Sequence, residues 1–197
     1  DAGEVEVDIT DGGALVSSGS EMAVGTAAAN TISPGEDVTI TSGGTYTVQG
    51  GTYTNSISIN TAEEVTLEIA GEITVERDRF ITVKNACKEL KIMNNQNYKV
   101  TIYWRTLLEN ENKDATVTFE GGIYEGSPGD REVIRNGGTV NLKKVKIKTT
   151  NVGMYDGKTI VNNWYYNSDG ILNIQDGTTL DNVGALDNCL NGGILNM

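Results

Sequence analysis

One pattern recurs along the chain: an apolar-x-apolar triplet, a corner of two or three residues that often holds Gly, then a second apolar or β-branched strand. It occurs in Leu67-Glu68-Ile69-Ala70-Gly71-Glu72-Ile73 and in Val117-Thr118-Phe119-Glu120-Gly121-Gly122-Ile123. It returns in Val140-Asn141-Leu142-Lys143-Lys144-Val145, in Leu172-Asn173-Ile174-Gln175-Asp176-Gly177 and in the closing Gly193-Ile194-Leu195-Asn196-Met197. Val117 and Val140 stand 23 positions apart, Val140 and Leu172 stand 32 apart, and Leu172 and Leu195 again 23. A repeat of about 20–30 residues built from short strands and tight corners is the mark of a β-solenoid. One coil cannot bury its apolar side alone. Stacking coils at about 4.8 Å makes parallel ladders around a continuous core.

The strands themselves have period 2. Val38-Thr39-Ile40, Thr45-Tyr46-Thr47-Val48, Ile57-Ser58-Ile59, Val65-Thr66-Leu67-Glu68-Ile69, Ile81-Thr82-Val83 and Leu90-Lys91-Ile92 alternate apolar or β-branched residues with polar ones. The same alternation continues in Val100-Thr101-Ile102, Val117-Thr118-Phe119, Val140-Asn141-Leu142, Val145-Lys146-Ile147 and Leu172-Asn173-Ile174. This predicts an all-β chain. The one helical candidate, about Glu21 to Ala29, is short and carries Gly25. Leucine-rich repeats share the period, but their regular Leu and Asn framework is missing. An antiparallel sandwich is the main competitor, and it needs two-residue hairpin turns and an accidental repeat.

Residues 38–197 then form about six or seven coils, a rod of about 30 Å. The inward set is Val65, Leu67, Ile69, Ile73, Ile81, Val83, Ile92, Val117, Phe119, Ile123, Val140, Leu142, Ile147, Leu172 and Ile174. Residues 1–37, with Ser17-Ser18-Gly19-Ser20, are the candidate N-terminal cap or partly flexible segment over an open strand edge. No polar cap follows Met197, so a fragment of a longer chain is expected, or a chain whose final coil is protected by a partner. The two cysteines, Cys87 and Cys189, fall about four coils apart, too far to bridge; free buried thiols are expected.

Composition removes several functions. The chain has 197 residues, 15 basic and 27 acidic side chains, a net charge of −12 and no histidine. Without histidine there is no Ser-His-Asp or Cys-His catalysis and no His-ligated metal. The acidic balance argues against nucleic acid as a partner. No apolar run approaches the roughly 18–20 residues of a membrane span, so no membrane insertion is expected. Residues 1–76 hold 13 acidic side chains and no Lys or Arg, whereas residues 77–197 hold all 15 basic groups with 14 acids.

Gly44-Thr45-Tyr46-Thr47-Val48-Gln49-Gly50-Gly51-Thr52-Tyr53, Ile81-Thr82-Val83-Lys84-Asn85-Ala86 and Gly170-Ile171-Leu172-Asn173-Ile174-Gln175-Asp176-Gly177-Thr178-Thr179 resemble the right-handed parallel β-helices of the pectate-lyase-like superfamily. These occur in surface proteins of gut and clostridial bacteria, and the first two phrases resemble in particular a β-helical carbohydrate-binding family. The resemblance covers about residues 38–197. It implies a right-handed winding and export to the cell surface or beyond, and it speaks for fold more than for function.

The superfamily includes polysaccharide lyases and hydrolases. Polygalacturonase-like hydrolases use clustered aspartates with a histidine motif, which this chain lacks. Pectate-lyase-like enzymes combine calcium-holding acids with an Arg or Lys base. Asp78 between Arg77 and Arg79 is the best local acid-base grouping and Asp130-Arg131-Glu132 the second; both are expected to be solvated corner charges.

Binding sites for sugars use flat aromatic rings with polar groups beside them. Tyr98, Tyr103 and Trp104 lie together, and Trp164, Tyr165 and Tyr166 form a run before Asn167-Ser168-Asp169-Gly170. Neighbours in a strand face opposite sides, so not all of these can be core. Tyr124, next to an inward Ile123, is expected to point outward. The ligand-binding candidates are therefore Tyr103, Trp104, Tyr124, Trp164, Tyr165 and Tyr166.

Lys144, Lys146 and Lys148 alternate with Val145 and Ile147 and are expected to project outward, as a solubilising stripe or toward an acidic polysaccharide or the acidic N-terminal face of another chain. Asp169, Asp176, Asp181 and Asp187 sit near successive turns and would hold calcium if they converged; turn chemistry explains them as well. Neither a metal nor a cofactor is assigned. The expectation is a non-catalytic surface or secreted module for adhesion or carbohydrate binding, with polysaccharide or a host-surface glycan or protein as partner. The alternatives are a lyase-like enzyme acting on acidic glycans and a purely structural stalk.

Overall fold

A computed structural model of the chain describes residues 30–103, 106–126, 133–149, 158–162, 170–181, 185–187 and 194–197. The helical candidate at 21–29 and all of the cap except residues 30–37 lie outside them. All regular elements among the described residues are strands. The first eight are β1 (Thr31–Ile32), β2 (Val38–Ile40), β3 (Gly44–Val48), β4 (Gly51–Tyr53), β5 (Ile57–Ile59), β6 (Val65–Ile69), β7 (Ile73–Val75) and β8 (Ile81–Val83). Then come β9 (Glu89–Ile102), β10 (Leu108–Asn110), β11 (Thr116–Gly126), β12 (Ile134–Asn136), β13 (Thr139–Lys143) and β14 (Lys146–Thr149). The last are β15 (Lys158–Asn162), β16 (Ile171–Ile174), β17 (Thr179–Asp181), β18 (Ala185–Asp187) and β19 (Ile194–Asn196).

Every strand pairing is parallel, and each strand pairs with its counterpart one winding away. The strands fall into a 12-stranded sheet, with the order β1-β3-β6-β9-β11-β13-β16-β19 as its main path, and a seven-stranded sheet, β18-β15-β12-β10-β8-β5-β2. This is a parallel β-solenoid, and the sandwich with its antiparallel hairpins is excluded. The strands make six complete windings, from β3–β5 through β16–β18, with β1–β2 and β19 as partial windings at the two ends.

Register follows the repeat. Val117 pairs with Val140, Val140 with Leu172, and Leu172 with Leu195. Earlier in the chain the sequence alignment slips by two: Leu67 pairs with Ile92, and Ile92 with Phe119 rather than Val117. A two-residue slip keeps the same face inward, so the core assignment survives it. Of the inward set, all but Ile123 and Ile174 are buried; Ile174 is half-buried and packs against the core. Each fully buried Val, Leu or Ile contributes about 1.5–3 kcal/mol. Two aromatic pairs fill wider space inside: Tyr53 with Phe80 at 4.9 Å, and Phe119 with Tyr124 at 5.4 Å, edge to face.

Phe119 and Tyr124 both point inward although five positions separate them, which strict alternation forbids. The register breaks between Gly121 and Ile123. Gly121 and Gly122 take φ of 74° and 96°, left-handed values that Gly adopts without a Cβ penalty. This bulge reverses the facing of everything after it. Tyr124 therefore goes inward and Ile123 sits half-buried on the outer side, the opposite of both expectations.

Two asparagine ladders tie coils together. Inside, Asn110 Nδ2 donates to Asn136 Oδ1 at 3.0 Å, and Asn136 Nδ2 donates to the carbonyls of Gly138 (2.7 Å) and Ile171 (3.0 Å). Outside, Asn141 donates to Thr118 (3.2 Å), Asn173 to Asn141 (2.6 Å) and Asn196 to Asn173 (2.6 Å). Buried amides at such corners satisfy backbone groups that water cannot reach.

Candidate functional site

The second half of β9 aims Lys99 and Thr101 away from the core, because Val100 and Ile102 are buried, and Tyr103 just past its end is exposed as well. Register extends these positions into rows across neighbouring coils. One row is Lys99, Ile123, Lys146 and Thr179; the next is Thr74, Thr101, Glu125, Lys148 and Asp181. Lys99 Nζ lies 3.7 Å from Glu125 Oε2. Lys144 and Lys146 are exposed and Lys148 half-buried, on either side of buried Val145 and Ile147, as expected from alternation. Lys144 itself sits in the corner before β14, with φ of 54°. The result is a flat outer panel of hydroxyl, ammonium and carboxylate groups at strand spacing.

Tyr103 is the aromatic member of this panel, 47% exposed, with its backbone N–H donating to Val75 O at 3.1 Å. Tyr98 is half-buried and packs on the core. Tyr124 does not belong to the panel. It is 1% exposed, and burial pushes its phenol far above the ordinary range, with Asn94 offsetting a smaller part. Its hydroxyl makes no hydrogen bond of good geometry. The bulge at Gly121–Gly122 is the physical reason the outward expectation fails. Trp104, Trp164, Tyr165 and Tyr166 lie outside the described residues, as do Cys189, Asp169 and Asp130-Arg131-Glu132.

At one rim of the panel the winding departs from its rule. Gly121 pairs with Asn94 and Ile123 with Lys99, so four residues, Asn95 to Tyr98, stand opposite Gly122 alone. Asn94 is fully buried and closes this loop: its Nδ2 donates to Tyr98 O at 2.8 Å and its Oδ1 accepts from Tyr98 N at 2.9 Å. Asn97, at φ 55°, accepts the Gly122 N–H at 3.1 Å. Asn95, Gln96 and Asn97 are exposed.

A second polar group lies on the seven-stranded sheet. Thr82, Glu109 and Arg135 occupy one register row on β8, β10 and β12. Glu109 is 0% exposed, with Arg79 Nε 2.8 Å from Oε2 and Arg135 Nη1 3.6 Å from Oε1. Arg79 thus anchors on a buried carboxylate and is not a free corner charge, whereas Arg77 pairs with exposed Asp37 at 3.6 Å. Sequence reasoning had no signal for Glu109 except its place in Leu108-Glu109-Asn110. That triplet aligns with Ile134-Arg135-Asn136 at a spacing of 26, a repeat of outward charge and inward Asn.

Among the described residues no group of three or more acidic or cysteine side chains gathers for a metal ion. Cys87 is a free, buried thiol that burial pushes upward in pKa, which suppresses thiolate chemistry. Compared with known proteins, the chain matches no family model, no curated protein and no solved structure. Its class is therefore set by architecture: a parallel β-solenoid, compatible with a structural or a binding module.

Proposed function

We propose that the chain is a non-catalytic β-helical module, displayed outside the cell, that binds polysaccharide or a surface glycan on its outer panel. The exposed ring of Tyr103, just past the end of β9 and on the same side as Thr101 and Lys99, carries this reading. A flat aromatic face covers the apolar side of a pyranose while neighbouring hydroxyl and ammonium groups meet its hydroxyls. Export and display rest on the sequence resemblance to pectate-lyase-like surface proteins.

Two features favour binding over catalysis. The chain has no histidine for a polygalacturonase-like hydrolase, and Arg79, a candidate lyase base, holds a buried carboxylate at 2.8 Å, the position of a donor and not of a proton acceptor. A glycan array, with and without calcium, tests the reading. We expect binding that Tyr103→Ala weakens about tenfold or more; a blank array contradicts it.

A further inference from the structure

The Asn95–Tyr98 loop is not needed to wind the chain. In the next coil Gly122 spans the same corner, and in the first coil Gln49 and Gly50 alone separate β3 from β4. Extra residues in one repeat of a solenoid map to loops on one side of it, often the binding side. An idle excursion would also be left loose, since ordering each residue costs conformational entropy. This one is fastened three times, by the two Asn94 bonds and by Asn97 on Gly122. The neighbouring coil is shaped around it: a Cβ on Gly121 would meet Asn94 O at 2.7 Å, and one on Gly122 would meet Asn94 Nδ2 at 2.6 Å.

The fastening groups are Asn94 and Asn97, whereas the side chains of Asn95 and Gln96 are exposed and make no hydrogen bond among the described residues. Each carboxamide offers two donors and an acceptor. The loop carries no charge, and the nearest ammonium in sequence, Lys99, already faces Glu125.

We infer that Asn94 pre-organises the Asn95–Gln96 carboxamides as a recognition edge for a neutral, hydroxyl-rich glycan lying against the panel. Pre-organisation spares the ligand the cost of ordering the loop. The inference rests on the glycan-binding reading and adds the charge class of the sugar and the residues that read it.

The test is affinity electrophoresis of the full chain through gels holding a soluble neutral galactan, a neutral glucan or polygalacturonate. Wild type is compared with Asn95→Ala/Gln96→Ala and with Tyr103→Ala. Thermal melts check that both variants fold. The expected result is retardation by at least one neutral polymer and about tenfold weaker binding by the double variant, at an unchanged melting temperature. Retardation by polygalacturonate alone, or a double variant that binds like wild type while Tyr103→Ala does not, overturns the inference and leaves glycan binding standing. No retardation by any polymer overturns both.

Discussion

In the twelve-stranded sheet, β6 and β13 alternate buried and accessible residues along their length, whereas β8, β10 and β12 of the seven-stranded sheet are buried at all three positions. The open sheet meets water with hydroxyls, amides and half-exposed ion pairs such as Lys143–Glu120 at 2.8 Å. The closed one places Glu109 between Arg79 and Arg135 at the outward position. The same backbone spacing therefore carries two kinds of charge pairing. One is screened by solvent and worth little. The other centres on a fully buried carboxylate beside a buried Arg135, with Arg79 reaching in from a half-exposed position, so removing the carboxylate strands a desolvated charge.

The sharpest break between the two is a pair of substitutions. Glu109→Ala leaves two guanidiniums around a vacated buried carboxylate site and should destabilise the fold by about 3–5 kcal/mol. Lys143→Ala on the open sheet should cost less than about 1 kcal/mol. Urea titrations of the two variants check this. Equal effects would erase the distinction between the sheets.

Two buried tyrosines sharpen it further within the core. Tyr53 donates to Gln49 O at 2.7 Å and lies 2.9 Å from Ile32 O, whereas the Tyr124 hydroxyl has no such partner. Tyr53→Phe should cost about 1 kcal/mol. Tyr124→Phe should be neutral or slightly stabilising, because it removes a desolvated hydroxyl. Thermal melts of the two variants decide the sign.

Burial pushes the Tyr53 phenol up to about 12, and Tyr124 is raised as well. A group whose folded pKa lies above its unfolded value keeps its proton in the folded state while the unfolded chain loses it. For Tyr53 this support is complete below the ordinary value near 10 and is lost as pH rises through about 12. Alkaline unfolding should therefore steepen in that window and flatten in Tyr53→Phe/Tyr124→Phe.

Alternation made the open sheet legible, since β-branched and apolar residues at every second position mark one face. It failed where the backbone stopped alternating. The Gly121–Gly122 pair, visible as a corner, hid an extra residue that sent Tyr124 inward and Ile123 outward. It also failed where both faces are covered, because Glu109 and Arg135 look like surface charges when only their own strand is considered. The asparagines at 110 and 136 carry a signal in their spacing of 26, but they stand outside the apolar repeat. The polar run Asn94-Asn95-Gln96-Asn97 follows no apolar repeat, and only the register of the coil beside it marks Asn95–Tyr98 as an insertion.

The parallel stack itself is tested most directly by cross-linking. Thr118 and Asn141 are register partners on adjacent coils, whereas Thr118 and Lys143 are two positions out of register. With the native cysteines replaced, mild oxidation and peptide mapping should find a disulfide in Thr118→Cys/Asn141→Cys and little in Thr118→Cys/Lys143→Cys, since a bridge needs Cα atoms within about 7 Å. A bond in the second pair and none in the first would contradict the stacked parallel winding.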